Sequence, residues 1–482
     1  MRLTDHDASF LYSETASSPM HGAGVAILEG EVSFEAIFAH LERRIHLVPR
    51  YRQRMVYVPL NIAHPKWVDD PEFDLHDHVK PKSVPAGTTL EEAIPLCLEM
   101  CEPLLDREKS LWMMYVVEGV PGHTLLISQA HHAMIDGVST VDVSVILMDF
   151  EPDAAPPGPP NEAWEPAALP GPLELWNEAL ADNVSEIGKR ARLPSFNPER
   201  MQLLGRAAQS VSRFVTEPVI TAPWNAGQVG PKRNLEWTRY SFAEFREIRR
   251  VFGGTINDVV LAVVSEAAAR YLTVNDEYVD NQYMRIMCPV SVRREGEEGA
   301  LGNRVSAMYP RLPAWPMEIT DRLRVVCEET TRLKANKEPQ GLELMQESAP
   351  FVPPVAMGQT LLVGTRWDPT ALAARFPPPV LPRFGRRPPL IGFNFTCTNV
   401  PGVQVPQYIA GHKIIAPLAA LMLSGTLGYG VVVASYNQDL YFNFTCDPRL
   451  MPDLPVMRAK VQDAFGELLE AARAQAQSTA QE

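Results

Sequence analysis

A chain of 482 residues, at roughly 150 residues per domain, has room for about three domains or two large ones, and its 46% hydrophobic and 21% charged residues suit a buried core. Lys+Arg 44 against Asp+Glu 58 leave a net charge of −14, which argues against nucleic acid as a partner. The 44 prolines, nearly twice the usual share of about 5%, exclude a plain helical bundle and imply long connectors.

The start, MRLTDHDASF, carries charges where a secretory signal would place its apolar stretch, so a cytoplasmic protein is expected. GAGVAILEG reads as a strand, VSFEAIFAHLERRI as a helix with one apolar stripe, and LEEAIPLCLEMCEPLL as a second helix. LWMMYVVEGV and HTLLISQA read as two further strands, and VSTVDVSVILMDF as a helix. This α/β pattern defines a first domain over residues 1–150. Composition then changes to EPDAAPPGPPNEAWEPAALPGP, where proline removes donors and fixes φ, so neither helix nor sheet continues. This Pro-rich linker and the helical stretches LELWNEALADNVSEIGKRARL and MQLLGRAAQSVSRFV occupy residues 151–230.

A second α/β domain is expected over residues 231–482, with FAEFREIRRVF and NDVVLAVVSEAAARYL as helices. MRIMCPVSV, RVSAMYPRLP, LIGFNFTCTNV, GYGVVVASY and LYFNFTC are its strands. Residues 414–437 carry no charge, and about 20 such residues can cross a bilayer. Pro417, Gly425, Gly428 and Gly430 interrupt the run, however, and VVVASY followed by DLYFNF has the β-branched and aromatic character of buried strands. Two strands of a central sheet are expected there. The six cysteines lack paired CxxC spacing and fit reduced, buried thiols, with Cys97 and Cys101 one helical turn apart as packing residues.

Between the strand HTLLISQA and the helix that follows lies HHAMIDG, residues His131 to Gly137. A strand end followed by a tight turn projects side chains into a crevice. Gly137 permits a backbone conformation denied to other residues, and Asp136 is near enough in sequence to fix the turn. Adjacent strand-end residues point in roughly opposite directions, so His131 and His132 are not expected to share a metal ion. One imidazole, one orienting carboxylate and one tight turn form a general-base arrangement. No GxSxG nucleophile elbow occurs in the chain. Direct transfer is therefore expected, with His132 taking the proton of an acceptor hydroxyl as its oxygen attacks an activated acyl carbonyl. Such proton transfer is worth roughly 10²- to 10⁴-fold, so positioning and oxyanion donors must supply the rest. Asn257 is the candidate donor or site organiser, and it also stands where a helix N-cap belongs.

HHxxxDG is the signature of the coenzyme-A-dependent acyltransferase superfamily, which includes the condensation domains of peptide synthetases. The chain further resembles the bacterial wax ester synthase/diacylglycerol acyltransferase family over almost its whole length. The resemblance is carried by DASFL at residues 7–11 with Pro19, Met20 and His21, by KWVDDPEFDLHDHV at 66–79, and by LDREKSLW at 105–112. NDVVLA at 257–262, PVSVR at 289–293, GNRVS at 302–306, NVPG at 399–402 and SYN at 435–437 extend it. Ser110 departs from the pattern, standing where the family commonly has proline before Leu-Trp.

The resemblance implies two coenzyme A-dependent acyltransferase-like domains, mixed sheets flanked by helices, joined by a crossover with a channel between them. It implies His132 as base, His131 and Asp136 as mainly structural, and Arg293 as an ionic partner of Asp136. It implies fatty acyl-CoA as donor substrate, diacylglycerol or a long-chain alcohol as acceptor, and no cofactor or metal. Residues 374–389, ARFPPPVLPRFGRRPP, could rest on an anionic lipid surface at the inner membrane or on lipid inclusions, where each cation contributes about 1 kcal/mol. Two other functions stay open at this point: a condensation-type enzyme using carrier-bound acyl groups, and a non-catalytic lipid-droplet-binding protein.

Overall fold

The computed structural model describes residues 1–134, 137–160, 162–191, 197–291, 305–347, 354, 356–357 and 387–481. In chain order the first lobe comprises α1 (Asp5–Ser13), β1 (His21–Glu29), α2 (Phe34–Glu42), β2 (Gln53–Val56), β3 (Lys66–Asp69), α3 (Leu75–His78) and β4 (Val79–Ser83). It continues with α4 (Leu90–Met100), β5 (Trp112–Val120), β6 (His123–His131) and α5 (Gly137–Leu147). After the connecting stretch come α6 (Pro172–Ala191) and α7 (Pro198–Thr216). The second lobe holds β7 (Asn234–Ser241), α8 (Phe242–Phe252), α9 (Ile256–Val274), β8 (Tyr283–Ser291), β9 (Val305–Met308), β10 (Arg311–Pro313), α10 (Ile319–Ala335) and α11 (Glu338–Glu347). It ends with β11 (Phe395–Val400), β12 (Tyr408–Ile409), β13 (His412–Ala420), β14 (Tyr429–Tyr436), β15 (Asp439–Cys446) and α12 (Leu454–Gln481).

Two mixed sheets organise these elements. The first has strand order β12-β13-β1-β6-β5-β4, and the second β10-β8-β11-β14-β15-β7 with β9 beside β8. In the second sheet β11 runs parallel to both β8 and β14. Strands β14 and β15 are buried along nearly their whole length, which is why their sequences read as continuous apolar runs rather than alternating ones. Helix α9 is buried almost all round and packs between α10 and α12 in the second core.

The uncharged run at 414–437 is divided between the sheets. Residues from Ile414 to Ala420 belong to β13, which pairs antiparallel with β1 of the first sheet, while β14 lies in the second. The two strands expected from VVVASY and DLYFNF are β14 and β15, antiparallel neighbours in the second sheet, while the earlier part of the run joins the first sheet, because local apolar character selects a strand without selecting its neighbours. No single described helix is long and apolar enough to cross a membrane. The α8–α9 pair passes on length and composition together, but it is bent by 96° and α9 is a core helix.

The crossover is tied at several points. Asp149 and Tyr408 exchange backbone bonds of 2.8 Å, and the Gln407 amide donates to the Ser144 carbonyl at 3.1 Å. Ile409, Ile414 and Leu418 join the core of the first lobe. Residues expected to begin a separate domain at 231 therefore include strands that complete the first sheet. Two blocks of the second lobe meet as well. The Gly402 N–H donates to Ser435 Oγ at 2.9 Å, and a Cβ at Gly402 would stand 2.1 Å from the Ser435 carbonyl oxygen.

Candidate active site

Strand β6 delivers the histidine pair. It lies between β1 and β5, with His131 opposite His21 and Ala130 opposite Trp112. The His131 N–H donates to the Leu111 carbonyl at 3.0 Å, and the chain then turns as Met134 N–H donates to the His131 carbonyl at 2.9 Å. Helix α5 starts at Gly137. Asp136 and Arg293, the expected ionic pair, lie outside the described residues.

The two imidazoles have different surroundings. His131 is fully buried and its Nδ1 accepts the Ala133 N–H at 3.0 Å. That bond leaves the ring proton on Nε2, which faces Glu14 Oε1 at 3.3 Å, outside good hydrogen-bond alignment. His132 is half-buried. Its ring stacks on Phe10, with centroids 4.4 Å apart and planes at 21°, and its backbone N–H donates to the Met20 carbonyl at 2.8 Å.

Glu14 is the C-cap of α1 and is almost wholly buried. Its Oε1 accepts the Met20 N–H at 3.1 Å, and its Oε2 accepts Arg107 Nη2 at 2.8 Å. Burial by itself raises a carboxyl pKa, but the facing His131, the Arg107 guanidinium and the Met20 N–H outweigh it and hold Glu14 at about 2. Arg107 also donates to the Leu11 carbonyl at 2.9 Å, binding the LDREKSLW block to α1. In that block Trp112 is buried, donates its indole N–H to the Tyr51 carbonyl at 2.8 Å and stacks on His78. Ser110 is buried too, and its hydroxyl has no hydrogen-bond partner among the described residues.

Beside the pair, His21 Nε2 lies 2.7 Å from the Cys101 carbonyl, and burial lowers the His21 pKa. A cavity between the lobes is lined by Pro19, His21 and Cys101 from the first and by Pro231, Arg233 and Met422 from the second. Cys97 and Cys101 are buried packing residues, their thiols pushed up to about 12 by burial.

Asn257 stands on α9 in the second lobe, half-buried at the second helical position. The reading of Asn257 as N-cap is corrected: Thr255 caps the helix. Thr255 Oγ1 accepts the Asp258 N–H at 3.2 Å, while Asp258 Oδ2 accepts the Thr255 N–H at 2.8 Å. Asp258 Oδ1 further accepts the Thr330 hydroxyl at 2.7 Å. Arg387, the arginine of the 374–389 stretch that lies within the described residues, donates to Glu277 at 2.7 Å and so is not a free cation.

The blocks DASFL and LDREKSLW contain Phe10 and Arg107 without marking a role for either, and Glu14 lies outside both. The local signal for Glu14 is its position one helical turn after Phe10 on a short helix.

The chain matches the wax ester synthase/diacylglycerol acyltransferase catalytic domain over residues 3–260 and the WS/DGAT C-terminal domain over residues 301–469. Two Mycobacterium tuberculosis proteins named as diacylglycerol O-acyltransferases are similar to it. One is 29% identical over 484 residues, covering 98% of each chain, and the other 26% identical over 482 residues, covering 97% of this chain and 90% of its own. Among solved structures, a wax ester synthase/diacylglycerol acyltransferase from Marinobacter aquaeolei VT8 superposes with a TM-score of 0.65 at 20% identity, covering 98% of this chain and 100% of that one. The first condensation domain of the calcium-dependent antibiotic synthetase superposes with a TM-score of 0.61 at 14% identity, covering 98% and 96%.

Proposed function

Because the chain belongs to the wax ester synthase/diacylglycerol acyltransferase family, we propose that it transfers a fatty acyl group from acyl-CoA to the hydroxyl of diacylglycerol or a long-chain alcohol, with His132 as general base. One observation carries the assignment of the base: His131 is sealed, its Nδ1 taken by the Ala133 N–H and its Nε2 turned toward the buried Glu14, whereas His132 is half-buried and braced from one side by Phe10. In the proposed step His132 accepts the acceptor's O–H proton as that oxygen attacks the thioester carbonyl. The C–O bond forms, the C–S bond breaks, and the proton passes to the leaving thiolate to give free coenzyme A. Asn257, on the second lobe, is proposed to organise the site or to stabilise the oxyanion.

The test is ester synthesis by purified protein from palmitoyl-CoA with hexadecanol or dioleoylglycerol, read as neutral lipid and as released thiol. The two acceptors rank the activities. His132→Ala is expected to abolish product, and a variant with full ester synthesis would remove the base. An acyl-carrier donor that outperforms acyl-CoA would favour the condensation-type reading.

Helix α6 supports a lipid surface as the place of work. Glu178 and Asp182 pair with Lys66 and Arg2 of the first lobe. Leu173, Leu180, Val184 and Ile187 are 74%, 46%, 71% and 51% exposed, at the 7, 4 and 3 spacing of one helical face. Val184→Asp with Ile187→Asp is expected to reduce co-sedimentation with phospholipid vesicles, and unchanged sedimentation would exclude α6 from that contact.

A further inference from the structure

Glu14 reaches both sides of the proposed base. On one side its Oε1 faces the His131 ring at 3.3 Å. On the other the same oxygen accepts the Met20 N–H at 3.1 Å, and the Met20 carbonyl in turn accepts the His132 N–H at 2.8 Å. Arg107 anchors the second carboxylate oxygen and, through the Leu11 carbonyl, the helix that carries Glu14. One turn before Glu14, that helix lays Phe10 on the His132 ring. Two segments thus meet His132, α1 at its ring and the Met20 strand end at its backbone, and Glu14 with Arg107 ties both.

Stability alone is a poor reason for such a group. A buried carboxylate is expensive to desolvate, and a buried ion pair is often no better for stability than apolar residues of similar volume. The carboxylate does, however, supply what an apolar side chain cannot, an acceptor for the Met20 N–H and a negative charge facing the His131 ring. We propose that Glu14 is a positioning residue for acyl transfer: its carboxylate, countered by Arg107 and facing the His131 ring, accepts the Met20 N–H and so holds the Met20–His132 backbone bond and, through it, the His132 imidazole. The inference rests on the reading of His132 as base. Misplacement of a reacting group by about 1 Å costs on the order of 10²-fold in rate, so a small shift of the imidazole has a large kinetic effect.

The experiment compares kcat and KM for palmitoyl-CoA at saturating acceptor in the full chain, with folding checked by near-UV circular dichroism. Glu14→Gln keeps the side-chain length and removes the charge. It is expected to lower kcat roughly 10- to 100-fold with KM within about twofold of wild type. Glu14→Gln combined with Arg107→Gln is expected to fall no further than Glu14→Gln alone, because the two act as a unit. A folded Glu14→Gln protein with kcat within about twofold of wild type overturns the proposal, as does a loss confined to KM. If Glu14→Gln does not fold, Arg107→Gln carries the test, since that side chain is 37% exposed. Arg107→Gln is expected to lose kcat at unchanged KM, and wild-type kcat overturns the proposal. His132→Ala separates the two readings. An inactive His132→Ala with a fully active Glu14→Gln removes only the positioning role, whereas a fully active His132→Ala removes the base itself.

Discussion

The Phe10 and His132 rings are nearly parallel, 21° apart in plane with centroids 4.4 Å apart, and this contact couples the first helix of the chain to the end of strand β6. Stacked aromatic pairs are worth about 0.5–1.5 kcal/mol beyond the area they bury. Phe10→Ala is therefore expected to lower kcat by roughly 3- to 10-fold, while Phe10→Tyr, which keeps the ring face, retains most of it. Steady-state rates at saturating acyl-CoA and acceptor check both.

Glu14 makes stability depend on acid. Its folded carboxyl sits at about 2, below the ordinary 4.5, so its contribution is complete above about pH 4.5 and is lost as pH falls toward 2. The difference is on the order of 3 kcal/mol. Between about pH 5 and pH 3 the wild-type melting temperature is expected to fall more steeply than that of Glu14→Gln, as thermal unfolding at several pH values will show.

The α9 N-terminus separates a stability effect from a site effect. Thr255→Ala removes the cap that accepts the Asp258 N–H and is expected to cost about 1 kcal/mol in denaturant unfolding. Asn257→Ala leaves the Thr255–Asp258 box intact and should change stability by less than about 0.5 kcal/mol. Loss of kcat in that variant would support Asn257 at the site, and wild-type kcat would remove it.

Ser110 buries a hydroxyl without a partner among the described residues. An unsatisfied buried polar group costs about 1–3 kcal/mol. Ser110→Ala is expected to raise the urea midpoint, or at least not to lower it, because the void left by one oxygen is small beside the polar group it removes.

Much of this architecture was legible in the sequence. GAGVAILEG and HTLLISQA read as strands and VSFEAIFAHLERRI as an amphipathic helix because periodicity records which side of an element faces the core. HHAMIDG was found for a similar reason, since its residues are contiguous. What periodicity does not record is which distant segment an element meets. The strand HKIIAPLAA alternates between buried and half-exposed positions, yet nothing in it names β1 as neighbour. Glu14 was overlooked on the same ground: a single carboxylate after DASFL looks like an ordinary surface residue until the fold brings His131, Met20 and Arg107 to it. The helix cap lies two positions before Asn257, because Thr255 and Asp258 form the reciprocal pair that defines the helix start.

Strand β13 departs from the second half of the chain to lie against β1. A gene cut between the halves would yield an amino-terminal product whose β1 offers a row of unsatisfied peptide groups to any passing chain, a recipe for precipitation. Soluble material should return when both pieces are synthesised in the same cell, making the protein a natural candidate for a split reporter whose reassembly is read as ester.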